Sequence, residues 1–101
     1  MNALIVAQFK LEACFQLTNR PFFLCGELLS GESLRGHFLD LTPLGITKQV
    51  RIEEIEFIRQ NKNGEVAEKT GLGTNELNEQ EKAHLKQIHE FPIPLKVLNH
   101  R

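Results

Sequence analysis

Phe9-Lys10-Leu11-Glu12-Ala13-Cys14-Phe15-Gln16-Leu17 carries an apolar side chain at every second position over nine residues. Side chains alternate across a strand but recur every three or four positions on a helix, so period two selects a half-buried β-strand within Ala3 to Leu17. Thr18-Asn19-Arg20-Pro21 breaks the run with turn chemistry, and Phe22 to Leu29 (FFLCGELL) forms a second strand. Gly26 interrupts that strand, which predicts a bulge or a close backbone approach. Ser30 to Gly36 (SGESLRG) reads as a turn with glycine at each side, where positive φ is needed.

The same logic extends in both directions. His37 to Thr42 is a short third strand ended by Pro43-Leu44-Gly45. Thr47 to Gln60 reads as the longest strand of the middle region. Its apolar parity switches between Val50/Ile52 and Ile55/Phe57, as a β-bulge at a barrel corner would produce. Asn61-Lys62-Asn63-Gly64 supplies Asn-Gly, the strongest short hairpin signal, with a return strand over Glu65 to Lys69 that resumes through Gly71-Leu72-Gly73. Leu77, His84, Leu85 and Ile88 fall on one helical face of a helix from about Asn78 to His89. Asn75 or Asn78 serves as the N-cap of a helix of about three turns. Phe91-Pro92-Ile93-Pro94 stops it, and Leu95 to Leu98 is a closing strand whose prolines favour an edge position. The expected architecture is mainly β: a small closed or partly open antiparallel barrel of about six strands, with one short helix near the C-terminus.

Composition narrows the function classes. With 101 residues there is room for one domain, residues 1–101, burying roughly 60–68% of its unfolded surface without metal or disulfide staples. Twelve Lys+Arg against thirteen Asp+Glu give a net charge of −1, which lacks the basic excess of a dedicated DNA or duplex-RNA binder. All seven aromatic residues are Phe, which carries no polar handle and favours the core. Cys14 and Cys25 are the only cysteines and read as reduced residues of a cytoplasmic protein, on neighbouring strands where a contact between them is conceivable. Met1 to Val6 has no basic n-region, so no signal peptide is expected, and no stretch approaches the ~20 apolar residues of a membrane span.

Leu24-Cys25-Gly26-Glu27-Leu28-Leu29-Ser30-Gly31, then Gly36, then Phe38-Leu39-Asp40-Leu41, is similar to the strand-turn-strand core of the second domain of elongation factor Tu. Gly26, Gly31 and Gly36 match that family's three glycines at the same five-residue spacings, and Val50 to Phe57 resembles the strand that follows. The resemblance implies a translation-factor β-barrel. It implies contact with transfer RNA or a ribosome by analogy of fold alone. No GxxxxGK[ST] phosphate loop accompanies it, and Leu72 stands where the family has Asp after Gly, so GTP hydrolysis is not implied.

The residues themselves suggest no catalysis. His84 and His89 are five apart, about 140° from each other on a helix, and cannot make an i, i+4 metal pair. Ser30 next to Gly31 lacks the GxSxG frame of an exposed nucleophile. Glu53, Glu54 and Glu56 beside Arg51 and Arg59 read as a solvated strand face with cross-strand charge pairs. No catalytic residue, cofactor or metal is expected. The expected function is a non-catalytic binding module acting by association with a protein or in a homo-oligomer, with RNA by fold analogy. Two alternatives stand beside it. One is a small enzyme or ligand-binding barrel with a Phe-lined pocket near His37 or Cys25; the other is a neutralising partner of a toxin or effector.

Overall fold

Why the alternating segments bend instead of forming a flat ribbon is visible in a computed structural model of the protein, which describes residues 3–100. Seven antiparallel strands form one sheet: β1 (Ala3–Gln16), β2 (Phe22–Gly31), β3 (Phe38–Asp40), β4 (Gln49–Arg51), β5 (Glu54–Lys62), β6 (Glu65–Thr74) and β7 (Ile93–His100). Their order across the sheet is β4-β3-β7-β1-β2-β6-β5, curled into a half-barrel, with the helix α1 (Glu79–Lys86) near the C-terminus.

Three register shifts curl the sheet. Between β1 and β7 Val6 is left unpaired; between β1 and β2 the extra residues are Glu12 and Leu29. The Glu12 bulge also corrects the simplest reading of the first strand. Phe9 and Leu11 are buried in the core, but past the bulge Ala13 and Phe15 turn to the outer face while Cys14 packs inward. One unbroken alternation in sequence therefore serves two faces. Gly26 pairs with Leu11 at this bend, where a Cβ would lie 1.8 Å from the Lys10 carbonyl oxygen. The close approach expected of Gly26 is present.

The middle region differs from the single long strand read between Thr47 and Gln60. It is two strands, β4 and β5, which occupy opposite ends of the sheet order. Ile52 and Glu53 carry the chain from one end to the other, so the parity switch marks a crossing and not a bulge. This split raises the count from about six strands to seven. Asn63 (φ 54°) and Gly64 (φ 81°) form the expected two-residue turn, with Lys62 opposite Glu65, and the return strand runs unbroken to Thr74.

The helix is shorter than three turns, eight residues from Glu79 to Lys86. Asn78, not Asn75, is the N-cap. Its side chain accepts from the Glu81 N–H at 2.8 Å while Glu81 accepts from the Asn78 N–H at 2.9 Å, a reciprocal capping box. Leu85 and Leu77 carry this segment into the core, alongside Phe9, Phe22, Leu24, Leu39, Val50, Leu72 and Val97 from the strands. The closing strand is not at an edge: β7 lies between β3 and β1. Its partner β3 reaches only Val97 and Leu98, so the Pro94 segment has β1 on one side and no ladder on the other. The prolines obey the rule locally while the strand as a whole is interior.

Candidate functional site

The three spaced glycines frame the segment that shapes the candidate site. Gly31 ends β2 at φ +76°, opposite Ala7, with the Val6 carbonyl oxygen 2.0 Å from where a Cβ would stand. Gly36 takes φ +93° in open space. Between them the loop folds on itself: the Leu34 N–H donates to Nδ1 of His37 at 3.1 Å, and the His37 N–H donates to the Leu34 carbonyl oxygen at 3.1 Å. The loop is then tied to the β4–β5 crossing. Gly36 N–H donates to the Ile52 oxygen at 2.9 Å, and Ile52 N–H donates to the His37 oxygen at 2.8 Å.

Beyond that tie β5 diverges from the loop. The gap is a cleft of about 410 Å³ lined by Ser33, Leu34, Arg35, Glu54, Ile55 and Phe57. It is the open seam of the half-barrel. Ser33 is 7% exposed, and its Oγ has no hydrogen-bond partner, alone in this respect among the buried polar side-chain atoms of the described residues. A buried hydroxyl left unpaired costs about 1–3 kcal/mol, so such groups call for an explanation. Phe57 is 69% exposed at the other wall, and Leu34 48%. The guanidiniums of Arg35, Arg51 and Arg59 make no ion pair among the described residues, whereas Lys10, Arg20, Lys48, Lys69 and Lys82 all do.

The two ends of the sheet are protected unequally. At β4 the Arg51 N–H is taken by Glu76 Oε1 at 2.6 Å, and the strand is only three residues long. β5 is nine residues long and has β6 on one side only. The two-residue turn makes Lys62 and Glu65 the closing hydrogen-bonded pair, so alternate residues point their backbone groups at β6. The remaining residues, Ile55, Phe57, Arg59 and Asn61, turn theirs to the free edge. Unpaired backbone groups in a row are a template for another strand.

The other sequence candidates are dispersed. Glu54 and Glu56 do form charge pairs, but with Arg20 in the turn between β1 and β2 and not with Arg51 or Arg59. Arg20 Nη2 lies 2.5 Å from Glu56 Oε1 and 3.7 Å from Glu54 Oε1, with the guanidinium 5.4 Å from the Phe23 ring centre. Glu53 accepts from the Asn75 N–H at 3.1 Å. Cys14 and Cys25 sit in successive register pairs, Cys14 with Leu24 and Cys25 with Ala13, and so face opposite sides of the sheet. Burial pushes the Cys14 thiol up to about 12 and the Cys25 thiol up to about 11, far from reactive thiolates. Cys25 borders an outer-face cavity of about 210 Å³ with Phe15 as its only aromatic wall. A larger cleft, about 720 Å³, lies beyond the end of α1 between Leu44, Ile88, Phe91 and Pro92. Its His84 is engaged, with Nε2 2.6 Å from the Leu44 carbonyl oxygen. Among the described residues no three His, Cys, Asp or Glu side chains cluster closely enough to hold a metal ion, and no helix is long and apolar enough to cross a membrane. No family model matches the chain, and neither a curated protein nor a solved structure matches it.

Proposed function

We propose that the chain is a non-catalytic binding module of translation-factor-barrel type that engages a protein partner at the seam. The observation that carries this is the buried, partnerless Ser33 hydroxyl in the wall of an open cleft whose opposite wall is an exposed Phe57 on an unpaired strand edge. Apolar surface, an unused donor and a free backbone edge are three things an incoming chain satisfies at once. The kinship with translation-factor barrels is supported by Gly31 and Gly36 at positive φ and by the Gly26 contact at the bend. RNA is the runner-up partner, through Arg35 and Arg51 beside the same cleft.

The test is site-specific photo-crosslinking in the native cell, with a benzophenone amino acid at position 57 and, as control, at exposed position 96. The module acts at the seam if position 57 yields an adduct that position 96 does not; protease or nuclease sensitivity of that adduct assigns the partner. Equal or absent crosslinking at the two positions ends the proposal.

A further inference from the structure

The edge strand is complementary to itself. Its sequence, Glu54-Ile55-Glu56-Phe57-Ile58-Arg59-Gln60-Asn61-Lys62, is acidic in its first half and basic in its second. An antiparallel strand presents the second half to the first. Resting on the seam as the binding surface, we infer that the partner is a second copy of this chain, its β5 laid antiparallel on β5 about a two-fold axis through Ile58.

The register follows from the backbone. Only Ile55, Phe57, Arg59 and Asn61 face outward, so hydrogen-bonded pairs across a two-fold axis must join these residues. Centring on Ile58 pairs Phe57 with Arg59 of the second copy and Ile55 with its Asn61. It also sets Glu54 opposite Lys62. Phe57 and Arg59 are both exposed, and a guanidinium against a ring face is an attractive contact. Centring one residue earlier puts Phe57 on itself but leaves Arg59 opposite Ile55 and Glu54 opposite Gln60, so both the ring–guanidinium pair and the Glu54–Lys62 opposition are lost. Centring one residue later places Arg59 opposite itself, and centring two residues earlier places Glu56 opposite itself, both like-charge pairs.

The same register explains the unused hydroxyl. Asn61 of the second copy arrives opposite Ile55, which shares the cleft with Ser33. An amide there supplies the partner that Ser33 Oγ lacks within one chain. The charged residues of β5 guard against indiscriminate edge pairing yet select this one pairing. The assembly is a closed dimer with a continuous sheet across the axis.

Ile58 meets its copy in a non-hydrogen-bonded pair, where Cα atoms stand about 4.5 Å apart, within disulfide range. Three measurements on the full chain decide the matter. Sedimentation equilibrium from about 1 to 200 µM should show a species of twice 11.6 kDa. Ile58→Cys should oxidise to a linked dimer at least tenfold faster than Val66→Cys, which is the more exposed of the two to oxidant but lies off the axis. Phe57→Lys should weaken the dimer about tenfold by opposing Arg59, and Phe57→Lys with Arg59→Glu should restore it, while circular dichroism stays unchanged. A monomer at every concentration, equal oxidation rates, or failure of the double variant to restore association overturns the inference. A heterologous adduct at position 57 with a monomeric chain would overturn it while leaving the binding-module proposal intact.

Discussion

Replacing Gly26 with Ala tests the bend on which the half-barrel depends. The added methyl would lie 1.8 Å from the Lys10 carbonyl oxygen, 2.8 Å from the Lys10 carbonyl carbon and 3.2 Å from the Glu12 nitrogen. All three are backbone atoms of the paired strand, so no rotamer change relieves the contact. Reaching an ordinary separation of about 3.5 Å requires β1 and β2 to part by roughly 1.7 Å. That carries the flanking N–H···O bonds well outside the usual 2.7–3.2 Å range. Two such bonds at about 1 kcal/mol each, with 1–3 kcal/mol for the overpacking, give a loss of about 3–5 kcal/mol. Against a total of about 5–15 kcal/mol for a domain this size, the loss lowers Tm by at least about 12 °C. Urea unfolding followed by circular dichroism measures it as a lower midpoint at unchanged slope. Gly36→Ala is the matched control: with φ +93° and no atom within 4 Å, it carries only left-handed strain of roughly 1–2 kcal/mol. If Gly26→Ala costs no more than Gly36→Ala, the strands do not approach as described, and the bend is misassigned.

Further expectations concern the cap, the outer-face charges and the thiols. Asn78→Ala removes the capping box and should cost about 1 kcal/mol by urea midpoint, against a negligible change for Asn75→Ala. Lys69 and Lys10 hold the Glu27 carboxyl below its ordinary 4.5, and the Asn78 N–H, with Lys48, does the same for Glu81. Their contribution is complete above pH 4.5 and is lost as pH falls through the depressed folded-state values. Lys69→Met should therefore flatten the acid limb of the stability profile below pH 4.5 and leave its shape at neutral pH unchanged. Both cysteines should react with a thiol reagent at pH 8 only upon unfolding, and mild oxidation should not join them within one chain. An intramolecular disulfide by mass spectrometry would contradict their opposite facing.

Much of the sheet was legible because its signals are local. Alternation over Phe9 to Leu17, the Thr18–Pro21 break and Asn63-Gly64 each fix geometry within a few residues. What escaped depends on partners far along the chain. The parity change between Ile52 and Ile55 has the same sequence appearance whether one strand bulges or the chain leaves one sheet end for the other. Only the pairing of β4 with β3 and of β5 with β6 separates the two cases. Pro92 and Pro94 suggest an edge strand, but β3 covers the far end of β7 and places it inside the sheet, with only the Pro94 segment lacking a second ladder. In the candidate site, Arg35 and Phe57 look like any solvated residues, and Ser33 like any turn serine. Its burial is produced by the loop folding back through His37 and Ile52, which no spacing announces. Arg20 was hidden similarly, since its carboxylates stand 34 and 36 positions away.

The Ile52-Glu53 crossing has a mechanical consequence. From Arg51 to Glu54 the chain takes three residue steps and extends at most about 11 Å, so the terminal strands of this sheet are leashed to each other at one end however the remainder moves. Any widening between the loop and β5 must then proceed as rotation about that leash, largest at the Asn63-Gly64 tip and smallest at Glu54. A guest strand would thread in from the tip and stop at the knot.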